Sequence, residues 1–447
     1  MTETVALISL GCAKNLVNSE QMVWLLSNAG FKTAIVPDTE NADGYNIAVV
    51  NTCGFIDSAK EEAIDVLLEL AAMKAEGRIG KIVCAGCLPE RYKDDIAREL
   101  PEIDAFVGVG GFGDIVGAVR GERAAIFPPP ESFDDNTGRV VSTPLAWAYL
   151  KIADGCDNRC AFCAIPDIRG RFRSRAEEEI LIEARRLAEL GVREIIIIAQ
   201  DITRYGIDIY GERRLASLVR KVSEIEGFYW VRLHYLYPDS FTDELIDEIA
   251  GNGKVLKYLD IPIQHINDGI LKRMNRRGTG ADIRTLLRTL RERIPGVVLR
   301  TSLITGLPGE NDAEFEELLE FLRDAKIERA GVFAYSPEEG TPAAAMERPD
   351  AEMARRRAEL VEMLQSRVMD DFNDSRIGKT ETVLLEGIMD GRLYGRSYAE
   401  SPDIDGVVFI DAAENCETEI TIGGFYSVKI TGSDGGAVVG EMMGAYG

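Results

Sequence analysis

Long apolar runs are missing from this sequence. No stretch reaches the roughly 18 consecutive apolar residues that a membrane-spanning helix needs, so no membrane partner is expected. The opening residues Met1-Thr2-Glu3-Thr4 lack the basic start of a secretory signal and run directly into a strand-like segment. A cytoplasmic chain is therefore expected, and there thiols stay reduced. Positive charge is scarce too. Lys and Arg number 51 against 75 Asp and Glu, a formal net charge of −24. Such a chain repels nucleic acid at long range and suits a basic protein as partner. Histidine is almost absent, with only His234 and His265 in 447 residues.

Cysteine, in contrast, is plentiful. The eight residues are Cys12, Cys53, Cys84, Cys87, Cys156, Cys160, Cys163 and Cys416. In a large cytosolic chain, clustered cysteines are more often metal ligands or catalytic thiols than disulfides. The length exceeds one ordinary core and implies two to four domains.

The order of elements gives three regions. Residues 1–125 alternate strand and helix patterns, which implies an α/β domain on an open parallel sheet. Strand-like runs end at Gly11-Cys12, Asn51-Thr52-Cys53 and Gly86-Cys87. A helix pattern covers Ser19 to Ala29, and another runs from Ser58, a candidate N-cap, to Lys74. Residues 121–147, with Pro128-Pro129-Pro130, read as a linker. Residues 142–373 repeat the strand–helix unit about six times, a partial (β/α)6 barrel, and end in a long charged helix from Ala351 to Asn373. Residues 376–447 lose the helical pattern and show short β-like runs at Glu381–Leu385, Val407–Ile410 and Tyr426–Ile430, a small all-β barrel. That tail holds five Lys and Arg against twelve Asp and Glu.

Cys156-x3-Cys160-x2-Cys163 is the strongest chemical signal. Three thiolates on one loop ligate three irons of a 4Fe-4S cube and leave the fourth open. S-adenosylmethionine (SAM) chelates that open iron before its sulfonium bond is reductively cleaved. A zinc site, or an ordinary cluster missing one ligand, is the plainer alternative. Phe162 would shield the cluster and contact adenine, or simply pack. Cys12, Cys53 and Cys87 all sit at carboxyl ends of strands, the edge where open α/β sheets bind ligands. They read as a second cluster site. Neither histidine is an evident fourth ligand for it. A trio of buried apolar cysteines, or a redox pair Cys84–Cys87, stays open beside that reading. Cys84 and Cys416 belong to no constellation. Strand ends at Gln200-Asp201, Ser302 and Gly306-Leu307-Pro308-Gly309-Glu310 are candidates to receive SAM, and His265 to touch cofactor or substrate. The run Arg169, Arg171, Arg173, Arg175 either receives an anion of the substrate or forms a solvated basic segment.

Taken together, these residues resemble the radical SAM methylthiotransferases over almost the whole chain. Ser9-Leu10-Gly11-Cys12-Ala13-Lys14-Asn15, Asn51-Thr52-Cys53 and Gly86-Cys87-Leu88-Pro89 resemble the family's amino-terminal domain. Gly155-Cys156-Asp157-Asn158-Arg159-Cys160-Ala161-Phe162-Cys163 resembles its radical SAM domain, and the tail is similar to a TRAM barrel. Within the family the RimO type is the nearer likeness. Gly11-Cys12-Ala13-Lys14-Asn15 stands where the tRNA-modifying MiaB type has Gln-Met-Asn after the cysteine, and Ile261-Pro262-Ile263-Gln264-His265 and Tyr335-Ser336-Pro337-Glu338-Glu339-Gly340-Thr341-Pro342 are also RimO-like. Ala13 and Asn18 depart from the Pro and Asp frequent in that type. The resemblance implies two 4Fe-4S clusters, held by Cys156, Cys160, Cys163 and by Cys12, Cys53, Cys87. It implies SAM as both radical source and methyl donor, with SAM contacts at Phe162, Gln200, Ser302 and Gly306. The implied product is a methylthio group on the β-carbon of one aspartate of ribosomal protein S-twelve, free or within the small subunit. A low-potential electron donor and a sulfur donor are implied partners. Two rivals remain at this point: a tRNA adenosine methylthiotransferase of the MiaB type, and a non-enzymatic cluster carrier.

Overall fold

Runs such as Val5-Ala6-Leu7-Ile8 and Ile47-Ala48-Val49-Val50 are apolar without alternation, as a sheet covered on both faces requires. They form part of a six-stranded parallel sheet: β1 (Thr4–Ser9), β2 (Lys32–Val36), β3 (Ile47–Thr52), β4 (Lys81–Gly86), β5 (Ala105–Val107) and β6 (Ala125–Ile126). The order is β2-β1-β3-β4-β5-β6. Odd positions such as Leu7, Val49 and Val83 feed one core. Even positions such as Ile8, Val50 and Cys84 feed the other. These are the coordinates of a computed structural model, which describes residues 3–411 and 420–446 apart from the Asp94 side chain. Cys416 lies outside the described residues.

Three expectations for this region need correction. The first helix, α1 (Ala13–Asn28), begins six residues earlier than its apolar pattern. Its first turns carry Lys14, Asn15 and Asn18, which are buried in a polar interface and so break the periodicity. Ser58 does not cap α2 (Asp57–Ala75). The helix already starts at Asp57, and Ile56 holds the capping position. An acidic residue in the first turn suits the helix dipole. The stretch read as a linker is not all connector, since β6 within it pairs with β5 through Phe106↔Ala125 and Val107↔Ile126.

The middle region forms an open parallel sheet of six strands in the order β14-β13-β12-β11-β10-β7. They are β7 (Trp147–Lys151), β10 (Glu194–Ile198), β11 (Trp230–Leu233), β12 (Val255–Asp260), β13 (Val298–Thr305) and β14 (Arg329–Ala334). A small antiparallel pair, β8 (Ala153–Asp154) with β9 (Arg173–Ser174), closes the loop that holds Cys156, Cys160 and Cys163. Helices Glu177–Glu189, Leu215–Ser223, Asp243–Gly251, Gly280–Arg293 and Asp312–Ala325 separate the strands, and Ala351–Asp374 follows the last.

The tail is a closed five-stranded barrel of β15 (Thr380–Met389), β16 (Arg392–Arg396), β17 (Val408–Asp411), β18 (Phe425–Asp434) and β19 (Ala437–Ala445). It is locked to the middle sheet by buried ion pairs. Glu194 accepts from Arg232 (2.6 Å) and Arg396 (2.6 Å), and Glu400 accepts from Arg376 (2.5 Å) and Arg329 (3.2 Å). Buried charges persist only when paired in this way. Two of the tail's five cations are thereby neutralised inside the molecule.

Candidate active site

In the N-terminal sheet, β1 has β2 on one side and β3 on the other. The chain direction of travel across the sheet reverses there, which opens a crevice at the carboxyl edge. Cys12 follows β1, Cys53 follows β3 and Cys87 follows β4, three adjacent strands. The register Thr52↔Gly86 sets Cys53 and Cys87 level. Gly11 adopts φ +88°, and a Cβ there would come within 2.8 Å of the Cys53 Cβ, so only glycine lets the two loops approach. Asn15 clamps the three strand ends. Its Nδ2 donates to the carbonyls of Leu10 (3.1 Å) and Thr52 (3.0 Å), and Cys87 Sγ contacts its Oδ1 at 3.7 Å. Cys12 caps α1 and Cys87 opens α3 (Cys87–Glu99), so both thiols stand at helix amino termini, which favour thiolate.

The second trio lies on one loop. Gly155 has φ +76°, and a Cβ there would meet the Arg171 carbonyl at 2.1 Å. Asn158, between Cys156 and Cys160, donates to Asp201 (2.9 Å) and accepts from Arg277 (2.7 Å). The amides of Cys156 and Ala161 donate to Gly170 (3.2 Å) and Met274 (2.9 Å). Arg276 places a guanidinium nitrogen 3.7 Å from Cys160 Sγ.

Burial pushes the Cys53 thiol up to about 12, with Cys87 adding to the rise, and Cys156 up to about 11. Cys87 and Cys163 are raised for the same reason. At Cys12 burial acts upward, but the charges of Lys14 and Arg169 outweigh it and the net shift is downward. Within each trio the thiols feel one another electrostatically. A ligating thiol gives up its proton outright, so filling these sites releases protons. Among the described residues no three His, Cys, Asp or Glu side chains close around a single-ion site. Thiols that ligate three separate irons stand wider than ligands to one ion.

The loop's surroundings also fit a small polar cofactor. Phe162 packs with Cys160, Tyr237, Met274, Leu307 and Tyr335. The Tyr237 and Tyr335 hydroxyls and the Gln200 amide oxygen are buried with no hydrogen-bond partner among the described residues. Buried polar atoms in that condition call for an occupant. Gln200 Nε2 donates to Asp154 (2.7 Å), directly before Gly155-Cys156. Ser302 is half-buried on β13, and its carbonyl accepts from Gln264 (2.9 Å). Gly306 has a packing reason of its own, since a Cβ there would strike the Ala354 Cβ at 2.3 Å. Its neighbour Leu307 is the residue that reaches the Phe162 cluster.

Other candidates sort plainly. Cys84 lies in the core on the opposite face from Leu7 and Val49, its thiol pushed up to about 12 by burial, and it is free. That removes the basis for a Cys84–Cys87 redox pair. His265 is fully buried and accepts from the Asn267 amide (3.0 Å), while His234 meets Ser401 of the tail (2.9 Å). The arginine run splits. Arg171 is exposed beside Asp157 (3.1 Å), Arg173 donates to backbone carbonyls, and Arg175 is buried on Glu183 (2.6 Å). Arg169 is the residue that sequence reasoning placed wrongly, as one of four similar cations. It is buried between the trios, donating to Asp154 (2.9 Å) and Asn15 (2.5 Å) and contacting Cys87 Sγ at 3.6 Å. Asp154 is 15 positions away, and its other partners lie about 80 to 150 positions away, so no local pattern announces it.

Three comparisons bear on this arrangement. Residues 150–322 match the Radical SAM superfamily, residues 4–108 the Uncharacterized protein family UPF0004, and residues 377–443 the TRAM domain. Among solved structures, the radical SAM methyltransferase TsrM from Kitasatospora setae superposes with a TM-score of 0.59 at 16% identity, covering 77% of each chain. The cobalamin-dependent radical enzyme OxsB gives 0.53 at 14% identity, covering 81% of this chain and 56% of that one. These likenesses show the fold. With the match over residues 150–322, the middle region is a radical SAM domain.

Closer relatives narrow the class. A ribosomal protein uS12 methylthiotransferase RimO of Acetivibrio thermocellus is 46% identical over 459 residues, covering 99% of both chains. One of Heliobacterium modesticaldum is 44% identical over 450 residues, covering 99% of this chain and 96% of its own. The chain belongs to the RimO family of methylthiotransferases.

Proposed function

We propose that this chain attaches a methylthio group to the β-carbon of an aspartate of ribosomal protein uS12. The single observation that carries the reading is buried Arg169, which touches Cys87 of one trio and Asp154, two residues before Cys156 of the other. Cys156, Cys160 and Cys163 would hold one 4Fe-4S cluster and Cys12, Cys53 and Cys87 a second. With SAM bound, these groups supply a carbon-centred radical able to take hydrogen from an unactivated C–H bond, together with sulfur and a methyl group.

The chain's own residues do the rest. Asn158 and the β8–β9 pair fix the loop trio, and Asn15 fixes the other. Phe162, Tyr237 and Tyr335 wall the loop trio from water, and the orphaned Tyr237 and Tyr335 hydroxyls, with the Gln200 oxygen, are the contacts offered to SAM. Ser302 and the Gly306 turn frame the same edge. An electron donor of low potential and a sulfur donor complete the reaction. No described helix is long and apolar enough to cross a membrane, and the cytoplasm is where these partners and ribosomal substrate meet.

The acidic tail favours a basic protein over tRNA as substrate. Arg376 and Arg396 are spent on buried carboxylates, leaving Lys379, Arg392 and Lys429 against a larger set of acids. Mass spectrometry of uS12 from cells with and without the gene tests the reading. The methylthio group adds about 46 Da. An unchanged uS12 mass, with a mass change in tRNA instead, would transfer the function to the MiaB type.

A further inference from the structure

SAM cleavage consumes one electron, and that electron reaches the loop trio from outside the chain. Between Cys156 and Cys163 the one exposed residue is Arg159, directly before Cys160. Its backbone has φ +50°, a left-handed conformation that a long side chain rarely adopts. Asn275 Nδ2 donates to the Arg159 carbonyl (2.8 Å), and the Ala161 amide donates to the Met274 carbonyl (2.9 Å), which ties this stretch to the Met274–Arg277 turn. Strain of this kind is tolerated where the surroundings impose it, and it clusters at functional sites. The loop trio thus meets the surface at Arg159, one residue from a candidate cluster ligand.

Three more arginines, from distant parts of the chain, gather at the same point. Arg277 is exposed, donates to Asn158 Oδ1 (2.7 Å) and pairs with Asp239 (2.5 Å). Arg204 donates to the same Asn158 oxygen (3.4 Å), and its charge acts on Cys156, Asp157 and Asp201. Arg171 is exposed and pairs with Asp157 (3.1 Å). Four guanidiniums are thus grouped around Asp157-Asn158-Arg159, in a chain whose formal net charge is −24. A basic patch on an acidic protein steers and orients a partner of the opposite sign. It repels a basic ribosomal protein, so this is not the face that receives the substrate. Nucleic acid has the right sign, but it would cover the cluster loop without supplying the electron that the reaction consumes.

We infer that Arg159, Arg171, Arg204 and Arg277 form the docking face for the electron donor, a small carrier protein with an acidic surface. The inference rests on the reading of Cys156, Cys160 and Cys163 as ligands of a SAM-cleaving cluster. One electron leaves the carrier, which is oxidised, and passes by way of the loop trio into the sulfonium bond of SAM. That bond breaks to give methionine and a deoxyadenosyl radical. Electron transfer weakens steeply with distance, so the donor has to seat where the ligand loop reaches the surface. Guanidiniums suit that task, because each presents a planar fork of donors to a carboxylate.

The test uses the full-length chain with both clusters reconstituted, and a flavodoxin, a small FMN protein with an acidic surface, as the probe. Calorimetry with the oxidised flavodoxin reads docking alone. The unaltered chain should bind it, and the binding should weaken as salt is raised. Arg159→Glu combined with Arg171→Glu should raise Kd about tenfold or more and leave the iron content unchanged. Arg185→Glu combined with Arg288→Glu makes the same charge change on exposed positions of two outer helices and should raise Kd far less. Deoxyadenosine formation driven by the reduced flavodoxin should fall in the Arg159 and Arg171 variant, while formation driven by reduced methyl viologen, a small cation, should not. Equal Kd values for the two double variants, or no binding by the unaltered chain, overturn the proposal. So does loss of iron with both donors slowed alike, which would assign these arginines to the support of the loop. Unchanged flavodoxin binding with weakened retention of small-subunit RNA would overturn it in favour of nucleic acid. If the unaltered chain forms no deoxyadenosine with methyl viologen and SAM, the reading of the loop trio falls and takes the docking face with it. None of these readouts uses uS12, so failure of the uS12 assignment alone is told apart from failure of the docking face.

Discussion

Cys156, Cys160 and Cys163 sit within eight residues of one loop, whereas Cys12, Cys53 and Cys87 are drawn from 76 residues and three strands. The loop trio depends on local conformation: a glycine at φ +76°, a two-residue ladder and the Asn158 anchor. The strand-end trio depends on parallel register, which sets Cys53 level with Cys87, and on Asn15 reaching across from α1. A local site survives some tertiary loosening. A distributed site has to be assembled by the fold itself, because a register slip of one residue would turn its thiols to the other face.

The largest effect should come from the residue that joins the two sites. Arg169→Met removes the contact to Cys87 and leaves Asp154 with Lys151 as its ion-pair partner. Breaking a buried charge pair costs about 3–5 kcal/mol, and the loss should appear as a lowered chemical-unfolding midpoint together with reduced iron in both trios. If only the strand-end trio loses iron, the bridge serves that site alone. Next comes the pair of glycines that precede the first cysteine of each trio. Gly155→Ala drives a Cβ into the Arg171 carbonyl, and Gly11→Ala drives one toward the Cys53 Cβ, each from a positive φ. Each should cost about 1–3 kcal/mol, and spectroscopy of the reconstituted protein should show opposite losses, the loop cluster in the first and the strand-end cluster in the second. The smallest effect belongs to Arg171→Ala. Its side chain is 82% exposed, and its pair with Asp157 is a surface contact. Removing it should leave the chemical-unfolding midpoint and both iron counts unchanged, since an exposed pair of this kind is screened by water.

Legibility in the sequence followed the same division. The C-x3-C-x2-C spacing announced the loop trio because its geometry is local. The strand-end trio became legible only through the repeated pattern of an apolar strand followed by cysteine, and its convergence needed the strand order. Six strands of the middle sheet and the closed tail barrel could be read from apolar runs and glycine punctuation. The start of α1 could not, because Lys14, Asn15 and Asn18 are buried polar residues whose partners lie on distant elements. The same physics hid Arg169. A run of four alternate arginines looks uniform, yet the fold buries Arg169 and Arg175 and leaves Arg171 in water. Gly306 shows the converse. Its place after a strand pointed to the cofactor, while its missing side chain is explained by the Ala354 contact.

Iron and sulfide content tests the central claim of two separate trios most directly. Anaerobically reconstituted protein should carry about eight irons and eight sulfides per chain. Cys156→Ala and Cys12→Ala should each keep about four of each, and the double variant none. An unaltered chain that saturates at about four irons, or a single variant that empties both sites, would contradict the account.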